Sequence, residues 1–269
     1  MIRPDLHTME AHMRYHIDTI PVWDAVKQHG ECPLCALRRR NELIDVERFL
    51  GASVMEPDTR IQVNDIGFCA HHQVLLYEQK NRLGHALMMH THLKETIRKL
   101  QPILEEAASA GEKSARTPAL KRMLGKSEGK GGLQEAARKV RAMSESCILC
   151  DTIEENTRRY AYTMLHLYKN DPAFRKEFAA SKGVCLPDMA MLLEMAEEAL
   201  SGDVLRDFLK DLKNTMQASM DKLEKDIEGF TLKFDYRNAD KPWGDSRGSL
   251  ERTINKLQGW CLGEEPNPK

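Results

Sequence analysis

The chain has 269 residues, 40 Lys and Arg against 41 Asp and Glu, 41% hydrophobic residues and only 6% aromatic ones. A formal net charge of −1 excludes a global electrostatic pull toward nucleic acid or an anionic membrane, and no apolar run approaches the ~18 residues of a spanning helix. With no secretory signal at its start, the sequence reads as a soluble cytoplasmic protein.

Abundant Glu, Lys, Leu, Ala and Met with few β-branched runs predict a mainly helical fold. The first helix is expected around Pro21, with Val22, Trp23 and Val26 on one face. It leads into Cys32, Pro33, Leu34 and Cys35, a C-x2-C motif. A second helix follows from Ala36 to Leu50, carrying Leu37, Ile44 and Phe49, and ends near Gly51. Its Arg38, Arg39 and Arg40 read first as a solvated face, with charge compensation of nearby thiolates as the alternative.

Gly67, Phe68 and Cys69 come next, followed by Ala70, His71 and His72. Glycine there permits a tight turn that presents the thiol at a helix start. From Gln73 the pattern is helical until Pro102, and His85, Met88, Met89 and His92 share one face. Such a stripe reads as packing, with a soft-metal or haem site as the alternative.

Residues 108–133 are rich in Gly, Ser, Lys and Ala and predict a flexible basic linker. Its charges extend from Arg116 to Arg141, but no aromatic residues interleave them to stack bases, so a nucleic-acid contact there is the minor reading.

The plan then recurs. Cys147 and Cys150 form a second C-x2-C motif 115 residues after the first, and Gly183, Val184 and Cys185 follow 116 residues after Gly67, Phe68 and Cys69. Six of the seven cysteines lie on this pattern, which reads as an internal duplication. Helices are expected after Cys150, from Asp171 through Phe178, after Pro187, and from Val204 to Ile227.

Three thiolates and one further donor suit a tetrahedral ion. Grouped within each half, Cys32, Cys35, Cys69 and His72 make a first site, and Cys147, Cys150, Cys185 and Asp188 a second. The C-x2-H spacing selects His72 over His71. A redox C-x2-C motif would sit in a βαβ pattern, which is not evident, and structural disulfides conflict with an intracellular setting and an unpaired Cys261. Zinc is expected at both sites, with an iron–sulfur cluster as the alternative, because clusters more often take four cysteines. A carboxylate at the second site is the more displaceable ligand, which makes that site the candidate for redox or thiolate-transfer chemistry.

The C-terminal stretch carries Phe230 to Arg237, with Lys233, Asp235 and Arg237 alternating as on a surface strand, then Pro242, Trp243 and Gly244. Together with Thr19 to Val22, the Cys32/Cys35 motif, and Gly67 to Cys69 with His72, it resembles an uncharacterised prokaryotic domain-of-unknown-function family. The resemblance spans most of the chain. It implies a helical protein with paired cysteine motifs and no established activity.

The predicted architecture is an all-α, pseudo-symmetric helical bundle: a first repeat over 1–107, the linker over 108–133, a second repeat over 134–229 and a C-terminal segment over 230–269. The expected role is a binding or adaptor module with structural metal sites, acting with a protein partner or as a homo-oligomer and without a membrane. Whether it is an enzyme stays open.

Overall fold

The computed structural model describes residues 18–116, 132–238 and 240–263. Among them every regular element is helical. Helix α1 covers residues 18–27. It is followed by α2 (Pro33–Leu50), α3 (Pro57–Ile66), α4 (Ala70–Glu78), α5 (Arg82–Arg116) and α6 (Gly132–Glu145). Then come α7 (Ile148–Asn170), α8 (Pro172–Ala180), α9 (Leu186–Ala199), α10 (Gly202–Leu232) and α11 (Ser249–Gln258). None of these is long and apolar enough to cross a membrane.

The chain forms two compact units, Met1–Asn41 with Ile153–Lys269, and Glu42–Thr152. In the first, α1 buries Val22 and Val26 against Leu34 and Leu37 of α2 and an aromatic group from α7, α8 and α10. Trp23 meets Phe174 edge-on at 5.2 Å, Tyr168 meets Phe208 at 5.1 Å, and Phe178 stacks on Phe208. Helix α8 starts where Asp171 caps it, its carboxylate accepting from the N–H groups of Ala173 and Phe174.

In the second unit α5 packs along α3 and α6. Its stripe is structural. Met88 is fully buried, His85 Nε2 lies 2.7 Å from Gln73 Oε1, and His92 Nδ1 lies 3.0 Å from the carbonyl of Asn64. Two expectations about this helix fail. The chain breaks at Gln79 to Asn81, where Lys80 takes a φ of 65° and the Asn81 carboxamide both accepts from Gly84 N–H (3.0 Å) and donates to the carbonyl of Leu50 (2.6 Å). That side chain stands in for the lost helical bonds of a new N-terminus. Beyond it α5 continues through Pro102 to Arg116, because one missing N–H costs a single helical bond while the helix packs on both α3 and α6.

Of the expected linker, residues 108–116 are therefore helical, Gly132 opens α6, and 117–131 lie outside the described residues. Two of the basic charges of α6 are paired, Arg138 with Glu135 at 2.6 Å and Lys139 with Glu106 at 2.8 Å. The alternation at Lys233, Asp235 and Arg237 is not a strand. Helix α10 runs to Leu232 and a 3-10 turn follows at Tyr236–Asn238. There Arg237 pairs with Asp235, and Lys233 donates to the Asn238 carbonyl at 3.0 Å, which fixes a turn and not an extended edge.

Two glycines are required by geometry. Gly67 (φ 76°) ends α3 and Gly183 (φ 75°) precedes α9. A Cβ on Gly67 would stand 2.6 Å from the His92 ring, and one on Gly183 would stand 2.8 Å from Met216 Sδ. Gly67→Ala should lower stability by about 1–3 kcal/mol, since the backbone there is nearly glycine-only. Gly111→Ala, in α5 with nothing near the added carbon, should raise it by about 0.5–1 kcal/mol. Chemical denaturation of both variants reads the difference, and equal midpoints would contradict it.

Candidate metal centres

Each centre joins a C-x2-C motif at the start of one helix to a knuckle at the start of another. Cys147 precedes α7, whose first turn carries Cys150, and the N–H of Asp151 bonds to the Cys147 carbonyl (3.1 Å). The knuckle is Gly67 to His72: the positive φ of Gly67 turns the chain, Cys69 caps α4 with extended backbone (φ −71°, ψ 167°), and His72 lies on the first turn. The same construction serves the other centre, where Cys185 caps α9 (φ −72°, ψ 166°), Asp188 lies on its first turn, and Cys32 precedes α2. The knuckles are bolted down differently. Ile148 N–H donates to the Gly67 carbonyl at 3.1 Å and Ser146 Oγ to that of Ile66 at 2.6 Å. Pro33, the counterpart of Ile148, has no N–H to give.

The grouping expected from the sequence is exchanged. Cys69 and His72 meet Cys147 and Cys150, and Cys32 and Cys35 meet Cys185 and Asp188; within each set the donor atoms lie within 4.8 Å of one another. All eight residues singled out by spacing fall in the two sets, but each C-x2-C motif meets the Gly-x-Cys knuckle expected with the other motif. The physical reason is the helical spacer. Helices α2 and α7 carry the chain away from their own C-x2-C motifs, and the knuckle they lead to lies in the other compact unit from those cysteines.

In the first set His72 Nδ1 lies 3.3 Å from Cys69 Sγ, 3.2 Å from Cys147 Sγ and 3.4 Å from Cys150 Sγ, and the Cys69 and Cys150 sulfurs are 3.7 Å apart. In the second, Asp188 Oδ2 lies 3.1 Å from the sulfurs of Cys32 and Cys185 and 3.5 Å from that of Cys35, with Cys35 and Cys185 separated by 3.7 Å. Four donors at 2.0–2.3 Å from one tetrahedral ion stand about 3.3–3.8 Å apart, close to the 3.1–3.7 Å found here. The donor sets thus have the size of one ion each.

The two adjacent histidines are placed differently. His72 is buried and points Nδ1 into the set, while His71 is largely exposed and meets Glu42 Oε1 with its Nε2 at 2.7 Å. The same carboxylate oxygen lies 3.4 Å from His72 Nε2, an ion-pair distance that makes no hydrogen bond, on the side where a ligand imidazole takes an outer partner. Burial lowers the His72 pKa, but its neighbours Cys147 and Glu42 outweigh this and push it up to about 10. Burial raises that of Cys147, yet the His72 contact and the N–H groups of Cys69 and Cys150 bring it down to about 6.

At the other centre Arg38, first of the arginine triplet, bonds Asp188 Oδ1 with Nη2 at 2.6 Å and reaches Cys35 Sγ with Nη1 at 3.6 Å. Arg39 lies instead over the Trp260 ring. The backbone N–H of Trp260 donates to Cys35 Sγ at 3.3 Å, and contacts to Cys185 and Cys32 lead in holding the Cys35 thiol far below its usual range. Burial pushes Cys32 well above it. Lys256, fully buried, donates to the carbonyls of Glu31 (3.1 Å) and Lys182 (2.5 Å) nearby. Asp188 itself is fully buried, so one oxygen faces the thiols and the other is fixed by an arginine. That opposes the easy displacement expected of a carboxylate ligand.

Glu42, Lys256 and Trp260 carry no sequence signal, since nothing in their spacing relates them to the cysteines; only the Arg38 triplet was visible. Cys261 is exposed, belongs to neither set and donates toward Asn255.

These observations define an all-α protein with two Cys-rich four-residue sets able to hold a metal ion. The chain belongs to a family of unknown function (DUF6062), whose match covers residues 13–264. No curated protein and no solved structure matches it.

Arg38→Met should weaken metal binding at the Asp188 set by about 10–100-fold, the usual effect of losing an outer partner, and leave the His72 set unchanged. Chelator competition followed metal by metal measures it. Equal affinities before and after the substitution would contradict the role assigned to Arg38.

Proposed function

We propose that the protein is a binding or adaptor module in which two zinc ions, one in each set, act as structural pins. The observation that carries this is the size of the two donor sets, each matching one tetrahedral ion. A cluster distributes its cysteines over several irons and spreads them further apart than a shared ion does. Each pin joins chain segments distant in sequence, Cys32 to Asp188 and Cys69 to Cys150. Metal binding energy is then folding energy.

The internal duplication is supported by the recurring order of elements. Helices α1 to α5 and α6 to α10 place a C-x2-C motif at the start of the second member and a Gly-x-Cys knuckle at the start of the fourth. In that reading the protein is a single chain built like a pair of repeats that have traded their closing knuckles.

One observation favours a second reading, redox or thiolate-transfer chemistry at the Asp188 set. A cavity of about 510 Å³ reaches Cys32 and Cys35, walled by His29, Glu31, Lys182 and Arg252. Elemental analysis of anaerobically purified protein separates the readings. Two zinc equivalents in a colourless sample are expected; iron with sulfide and a brown colour would favour the second.

A further inference from the structure

The two sets differ in how far their sulfurs are open to attack. In the Asp188 set all four residues are buried, Cys35 accepts from the Trp260 N–H, and Arg38 pins the carboxylate. Hydrogen bonds to a thiolate draw off the charge that makes it nucleophilic, and although the cavity reaches Cys32 and Cys35, they expose only 7% and 3% of their surface. In the His72 set only Cys147 and His72 are buried; Cys69 is partly open and Cys150 is exposed at the start of α7. The N–H of Cys150 turns inward to Cys147 Sγ at 3.5 Å, so its donor serves the buried sulfur and not its own. The Cys150 sulfur has Cys69 Sγ and His72 Nδ1 as its neighbours, and the Cys69 sulfur is only 3.7 Å away.

From this geometry we infer that the Cys69/His72/Cys147/Cys150 set is an oxidation-sensitive metal centre, with Cys150 as the attacked thiolate and Cys69 as the resolving one. It rests on the metal reading given above and reverses the asymmetry expected from the ligand types alone. The oxidant class is a hydroperoxide. The Cys150 thiolate takes one oxygen from the peroxide, breaking the O–O bond, to give a sulfenic acid and hydroxide or alkoxide. The Cys69 thiolate then attacks the Cys150 sulfur, an S–S bond forms and a second hydroxide leaves. Two thiolates are oxidised by two electrons and one peroxide is reduced. With Cys69 and Cys150 withdrawn, only His72 and Cys147 remain on the ion, which is released.

Hydrogen peroxide on the metal-loaded full chain tests this. Metal content is measured first, release is followed with a chromogenic chelator, and disulfides are mapped by mass spectrometry. Expected is release of one metal equivalent with a Cys69–Cys150 disulfide, while Cys32, Cys35 and Cys185 stay reduced. In Cys150→His, which keeps four donors, release should slow at least tenfold; should that variant not hold its ion, the disulfide map of the unmodified protein decides. A preparation without metal overturns the metal reading and this inference together. Full metal content with peroxide release from the Asp188 set first, or from both sets at one rate, or with Cys69 and Cys150 left reduced, overturns this inference alone.

Discussion

Three thiols and a fourth donor packed within 4.8 Å of one another form a strained assembly of groups unless something positive sits among them. Ionised sulfurs this close repel strongly in a medium of low dielectric constant, and neutral ones leave their neighbours poorly satisfied. In the Asp188 set Cys32, Cys35, Cys185 and Asp188 are all removed from water. A divalent ion would still leave negative charge in excess, and two cations stand beside it, Arg38 on the carboxylate and the buried Lys256 on the carbonyls around it. The local fold follows from this constraint. Gly67 with Cys69 at the start of α4 and the C-x2-C start of α7 bring the donors of one set together, and Gly183 with Cys185 at the start of α9 and the C-x2-C start of α2 bring those of the other.

What the sequence made legible was chemistry and local form. Cysteine spacing selected all eight members of the two sets and chose His72 over His71, because donors on one helical turn have few ways to converge. Apolar periodicity placed most of the helices, including α10, whose Phe208, Leu212, Met216 and Leu223 are buried as the three-and-four spacing requires. The resemblance to an uncharacterised family agrees with the match over residues 13–264.

What it concealed was long-range pairing. Each C-x2-C motif has two compatible knuckles, and spacing cannot choose between them, since the helical spacers decide which one returns. The Asn81 cap and the passage of α5 through Pro102 were hidden for a related reason: a side chain reaching the carbonyl of Leu50 and packing along two other helices override local propensity. Glu42 and Lys256 were invisible because a residue that steadies a ligand from outside is tied to it in space alone.

The exchange of knuckles is therefore the claim on which the rest stands. It is tested most directly by mapping thiol protection in Cys35→Ser, with the metal-loaded protein exposed briefly to an alkylating reagent and every cysteine quantified by mass spectrometry. The expected result is loss of protection at Cys32 and Cys185 while Cys147 and Cys69 keep theirs. Deprotection of Cys69 together with Cys32, and unchanged protection of Cys185, would mean that each half closes its own site and would contradict the exchanged arrangement.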